Sequence, residues 1–175
     1  MAQPAPSMYV LDGYPSREDV LQGLASVPDR LRSLAGTATP AQLRSPGPGG
    51  GWSAFQVCCH VRDGALVYSS RFRWIVFNDD PILPSMDEEN WVEAARDTVD
   101  DLPEMLDEIA ASRADLMRVL SRLPDEGWGR TGRHEILGSV VLEPYVRHQL
   151  AHEEMHLAQI EAVLGAAART GSGDG

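Results

Sequence analysis

From Tyr145 to Leu164 the chain runs without a glycine or proline and is rich in Ala, Leu, Glu and Gln. Such a run reads as one long helix. Three of the chain's five histidines, His148, His152 and His156, fall in it at steps of four. Residues at that spacing share one helix face. Tyr145, Gln149, Gln159, Ile160 and Val163 extend the same face, whereas Arg147, Glu154 and Glu161 fall opposite. The histidines therefore point where the core residues point. Imidazoles one turn apart can grip a single metal ion. Read from this helix alone, inward histidines hydrogen-bonded within a core fit equally well.

The string His152-Glu153-Glu154-Met155-His156 also spells H-E-x-x-H, the metallopeptidase pattern with Glu153 as general base. That reading needs a third ligand downstream. Ala162 stands where a metzincin would carry its next histidine, and no glutamate follows Glu161. A third ligand has to come from upstream, which argues against a peptidase of this type.

A chain of 175 residues with 43% apolar content is long enough for one domain with a sizeable core. Its formal net charge is −11, and all 15 basic residues are arginine. An acidic surface disfavours nucleic acid and anionic membranes as partners. The two cysteines, Cys58 and Cys59, are neighbours that point about 100° apart on a helix and do not pair with each other. Without a disulfide framework, a signal-peptide pattern or an apolar run of membrane-spanning length, the expected location is the cytoplasm.

Residues 1–15, rich in proline, read as an extended arm. A single domain is expected over 16–165. Ser16 and Asp19 open a first helix reaching about Leu34, with Leu21, Leu24, Val27 and Leu31 as its buried stripe. Arg44–Gly51 is a loop. Ser53 and Gln56 form a capping box for a second long helix running to about Phe77. On it, His60 shares a face with Gln56, Asp63, Gly64, Val67, Arg71 and Trp74, and it is the natural upstream ligand. Ser85 and Glu88 cap a short extra helix carrying Trp91 and Val92. A third long helix spans about Leu102 to Leu123. Residues 125–139 read as a Gly-rich loop containing Trp128 and a surface His134. The last helix begins near Val141, takes Gly165 as its C-cap, and leaves 166–175 as a frayed tail. No strand-like alternation of any length is present. The expected class is all-α: a four-helix bundle with a short helix between the second and third long ones.

Trp52-Ser-x6-His60-x2-Asp63, then Ile82-Leu83-Pro84 with Asp87 and Trp91, then Leu137-Gly138, then His148-x3-His152-x3-His156-Leu-Ala-Gln-Ile160, resembles the DinB/YfiT-like metalloprotein superfamily. The resemblance covers residues 50–164. It implies a four-helix bundle with a divalent metal on three histidines, carried over by position to His60, His152 and His156, and often a homodimer. It also implies a thiol-dependent S-transferase or isomerase, with zinc or nickel ahead of iron as the metal and a low-molecular-weight thiol as second cofactor. The expected partners are a small-molecule thiol or an electrophile. Relatives close to this motif often carry an acidic residue two positions past the aspartate matched by Asp63, where this chain has Ala65.

Around that ligand set, Asp63 and Glu153 are the candidates for a proton-handling or ligand-orienting role. Arg71 and His148 are the candidates for holding substrate. A metal-dependent hydrolase, and a non-catalytic metal-binding or stress-related protein, are the alternative functions. Histidine count alone does not select the metal.

Overall fold

Two of the long helices begin where a side chain takes up exposed N–H groups. The computed structural model describes residues 16–98 and 101–171. Helix α1 (Arg17–Ala35) starts at Ser16, whose hydroxyl accepts from the Asp19 N–H while the Asp19 carboxylate reaches back to the Ser16 N–H. A short α2 (Pro40–Arg44) has the same reciprocal cap from Thr39 and Gln42. Helix α3 (Ala54–Phe77) has it from Ser53 and Gln56, as the sequence predicts. Such a box satisfies two orphan donors at once.

The short extra helix is present as α4 (Glu88–Thr98), but its cap differs from expectation. Asp87 accepts from the backbone and side-chain amides of Asn90 at 3.2 and 2.6 Å. Ser85 donates its N–H and hydroxyl to Glu135 instead. Helices α5 (Leu102–Leu120) and α6 (Leu142–Gly171) complete the set. Here α6 passes through Gly165 and continues to Gly171, so the expected Gly165 cap and a tail from residue 166 are corrected. The expected arm at 1–15 lies outside the described residues.

Helices α1, α3, α5 and α6 close a ring in which α3 and α1 each pack against both α5 and α6. The interior is filled by Leu24, Val27 and Leu31 from α1, Phe72 and Ile75 from α3, Leu106, Ile109 and Leu116 from α5, and Tyr145, Leu150 and Ile160 from α6. This is the four-helix bundle the periodicity predicts.

One element departs from the sequence reading. A three-stranded sheet of β1 (Ile82–Leu83), β2 (Thr131–His134) and β3 (Gly138–Val141) closes one end of the bundle. β2 pairs parallel to β1 and antiparallel to β3. Gly138, at φ +75°, makes the hairpin turn that a side chain would strain. A Cβ on Gly132 would stand 3.0 Å from Ile75 and Leu83 side chains, so this strand lies hard against α3 and β1. The sheet ties the 78–87 connection, whose Pro84 carbonyl accepts from Arg71 of α3, to the hairpin. No helix among the described residues is long and apolar enough to cross a membrane.

Candidate metal centre

The capping box at Ser53 sets the phase of α3, which places His60 two turns in and facing α6. On α6 the step of four aims His152 and His156 back at it. The Nε2 atoms of His60 and His152 lie 3.2 Å apart, and those of His152 and His156 lie 3.1 Å apart. One nitrogen from each ring falls within 4.8 Å of the other two, and all three residues are buried. Nitrogens on one tetrahedral ion with bonds of about 2.1 Å stand about 3.4 Å apart. The donor set fits a divalent transition metal by type, number and separation.

Tautomers support the same fit. The outer nitrogen of His156, Nδ1, lies 2.8 Å from Gln159 Oε1 and donates its proton there. The lone pair of its Nε2 is thereby turned toward the other two rings. Burial, with the neighbouring histidines adding to it, pushes His60 down to about 4 and His152 to about 2; burial also lowers His156, against the opposing hydrogen bond to Gln159. All three rings are neutral at pH 7, the form in which imidazole binds a cation. Trp52 packs on His60 at 5.2 Å between ring centroids and walls the cluster on that side.

Beyond His152 a cleft of about 450 Å³ opens between α3, α6, the hairpin and the start of α4. Tyr68, Arg71 and His148 line it, together with Glu88 from the rim. His148 lies one turn before His152, 6.5 Å away between ring centroids, and is stacked on Tyr145 at 13°. Burial lowers its basicity to about 4. The Arg71 guanidinium is buried. It donates Nε and Nη2 hydrogens to the Pro84 carbonyl and an Nη1 hydrogen to the Tyr145 hydroxyl. Tyr68 packs on the Tyr145 ring at 5.2 Å between centroids, and burial raises both phenols, so they remain protonated. The structure thus brings Arg71 and His148 to the cleft next to the three histidines.

Asp63 and Glu153 take other positions. Asp63 is buried, but its carboxylate accepts from the Arg62 guanidinium at 2.7 and 2.9 Å. His60 Nδ1 has no hydrogen-bond partner among the described residues, so Asp63 does not orient that ring. Glu153 is not a surface residue. It is 1% exposed and pairs across the bundle with Arg113, itself 3% exposed, while Gln149 Nε2 donates to it at 2.7 Å. One residue along a helix is a turn of about 100°, which sends Glu153 to α5 while His152 faces α3. The general-base role that H-E-x-x-H would give it has no geometric support. His134 is corrected too. It is 8% exposed on β2, and its Nδ1 accepts from the Ile136 and Leu137 N–H groups of the hairpin turn. The sequence reading placed Gln159 on the histidine face without giving it a task; a hydrogen-bonding residue three after a ligand was the signal. Cys58 and Cys59 are free and buried.

The sequence pattern of the DinB superfamily is matched over residues 12–160. This chain belongs to that superfamily. The protein named "Putative metal-dependent hydrolase YfiT" of Bacillus subtilis is 25% identical over 161 residues, covering 87% of this chain and 90% of the relative. A like-named Geobacillus thermodenitrificans protein is 31% identical over 81 residues, covering 45% of this chain and 46% of that one. The solved structure of Bacillus subtilis YfiT, described as a probable metal-dependent hydrolase with an unusual four-helix bundle topology, superposes with a TM-score of 0.82. That match covers 93% of this chain and 94% of the other at 24% identity, a correspondence of fold.

Proposed function

We propose that this DinB superfamily member is a metal-dependent enzyme acting on a small molecule. In this reading His60, His152 and His156 hold a divalent transition metal, zinc or nickel before iron, through their Nε2 atoms. The observation that carries the reading is the convergence of three buried, neutral imidazole nitrogens, one of them on His152, which also lines the open cleft. Three protein ligands leave coordination positions for a reactant, as catalytic rather than structural sites do. A metal there would act as a Lewis acid and make a water or thiol held against it easier to deprotonate.

The surrounding side chains favour a thiol over water. Hydrolysis gains from a base beside the centre, and the three carboxylates nearest the ligands in sequence are committed elsewhere, Asp63 to Arg62, Glu153 to Arg113 and Glu154 to Arg30. His148 is close, but its basicity is pushed down to about 4. A thiol, with an ordinary pKa near 8.5, needs only the cation's field to become the nucleophile. The reaction is therefore thiol S-transfer or a thiol-assisted isomerisation, with Arg71 receiving an anionic group of the thiol or of its electrophilic partner. Hydrolysis is the second reading, favoured by the descriptions that the relatives carry.

Elemental analysis of tag-free protein tests the centre: one metal per chain is expected, and none in His152→Ala. Cobalt-substituted protein then tests the thiol. A thiolate-to-metal absorption band should grow on adding a small thiol. A spectrum that thiols leave unchanged, alongside activity against activated esters, would turn the reading to hydrolysis.

A further inference from the structure

Arg71 is 4% exposed, yet its positive charge meets no carboxylate within ion-pair distance among the described residues. Three of its five N–H groups are used, two on the Pro84 carbonyl and one on Tyr145. Two remain on a guanidinium that lines the cleft. Burying a cation without a counter-charge is costly, so the arrangement is poised for an anion from outside.

The cleft also carries a second, opposite pole. Of the three consecutive acids at its rim, Asp87 spends its carboxylate on capping α4. Glu88 lines the cleft with no hydrogen bond or ion pair among the described residues, and it lies near enough to feel the field of Arg71. A simple anion seated on Arg71 would meet repulsion from Glu88. A ligand with a cationic group beside its carboxylate would turn that repulsion into attraction.

We propose that the cleft selects a zwitterionic substrate, an amino-acid-like molecule whose carboxylate pairs with Arg71 and whose ammonium pairs with Glu88. This deepens the enzyme reading above and rests on it only for the place of the reacting group at the three histidines. Glu88 is then a specificity residue: it rejects plain carboxylates and holds the cationic end.

The test uses L-2-aminobutyrate and 4-aminobutyrate, zwitterions of short and long pole separation, against butyrate and butylamine. Binding is measured by titration calorimetry or ligand-observed NMR on zinc-loaded and on EDTA-treated full-length protein. At least one zwitterion should bind about fivefold or more tighter than either single-charge probe. Glu88→Gln should bring it to the level of butyrate, and Arg71→Gln to the level of butylamine. Glu88 stands at the exposed rim, so its variant carries the test if the buried Arg71 variant fails to fold. The proposal is overturned if butyrate binds as tightly as both zwitterions, if Glu88→Gln leaves the ratio unchanged, or if no probe binds. A preference that persists after EDTA treatment belongs to Arg71 and Glu88. A protein that takes up no zinc but keeps the preference would end the enzyme reading and leave this one standing.

Discussion

Helix α6 turns two buried polar faces to two different neighbours. Toward α3 it presents His152 and His156, neutral rings whose nitrogens converge with that of His60. Toward α5 it presents Glu153, an acid closed off by Arg113 and Gln149. Residues 152 and 153 are adjacent in sequence and serve opposite ends. The α5 face brings its counter-charge with it and is complete. The α3 face collects three lone pairs with no cation from the protein, an arrangement that fits a cation supplied from outside. A short motif read along the chain merges these faces; the 100° turn between neighbours separates them.

The largest effect should come from breaking the closed face. Removing one partner of a buried ion pair leaves the other charged and unpaired, at about 3–5 kcal/mol. Glu153→Ala should lose about that much stability in urea unfolding while the folded fraction still takes up metal. Arg113→Met with Glu153→Leu should recover most of the loss, because an apolar pair of similar volume avoids the desolvation cost. Metal uptake abolished in the folded double variant would mean that the two faces are not separable.

His152→Ala should show the reverse pattern. Metal at about a thousand times its dissociation constant stabilises the fold by roughly 4 kcal/mol, and this variant should forfeit that share. In chelator the gap between variant and wild type should shrink to the cost of one truncated ring. A gap of the same size with and without metal would make the histidines core filler.

The two faces were not equally legible in the sequence. His60 could be singled out because Ser53 and Gln56 announce where α3 starts and therefore which way each later residue faces. The inward phase of His152 and His156 followed from Tyr145, Ile160 and Val163 on the same stripe. Glu153 was invisible for a physical reason: its burial depends on Arg113, forty positions away on another helix, and nothing local marks an acid as paired. The hairpin escaped for another. Thr131–His134 and Gly138–Val141 are four residues each, too short for alternation to register, and β1 is shorter still. Their stability comes from packing on Ile75 and Leu83, a tertiary fact. His134 was misplaced along with them. The run past Gly165 was misjudged because glycine permits a helix end without requiring one.

Protons should act mainly on the histidine side. His60 and His148 are held at about 4 in the folded chain against about 6.5 when unfolded. Between those values the unfolded chain binds protons that the folded chain excludes, so stability rises with pH there. The contribution is complete above about pH 6.5 and is lost as pH falls toward 4. From pH 7 to 5.5 each of the two should remove about 1 kcal/mol from the chelator-treated protein. Replacing His148 with Phe should flatten the profile by that residue's own share, about 1 kcal/mol. A melting temperature that does not fall over this interval would contradict neutral, buried rings.

The smallest and sharpest contrast lies in two glutamines on the same helix. Gln159 accepts the Nδ1 proton of His156, and Gln149 donates to Glu153. If the faces are independent, each glutamine should serve only its own. Gln159→Ala frees the His156 ring to rotate and to switch tautomer, and such outer partners of metal-bound histidines are commonly worth ten- to a hundredfold in affinity. Zinc affinity, measured by chelator competition, should fall by about tenfold, with metal-free stability within about 1 kcal/mol of wild type. Gln159→Glu keeps an acceptor for the Nδ1 proton and should hold affinity at or above the starting value. Gln149→Ala should leave zinc affinity alone and cost about 1–3 kcal/mol of metal-free stability, because it strips a donor from a buried carboxylate. A zinc affinity that responded equally to both glutamines would show that α6 transmits strain between its two faces, and the division of labour drawn from their geometry would fail.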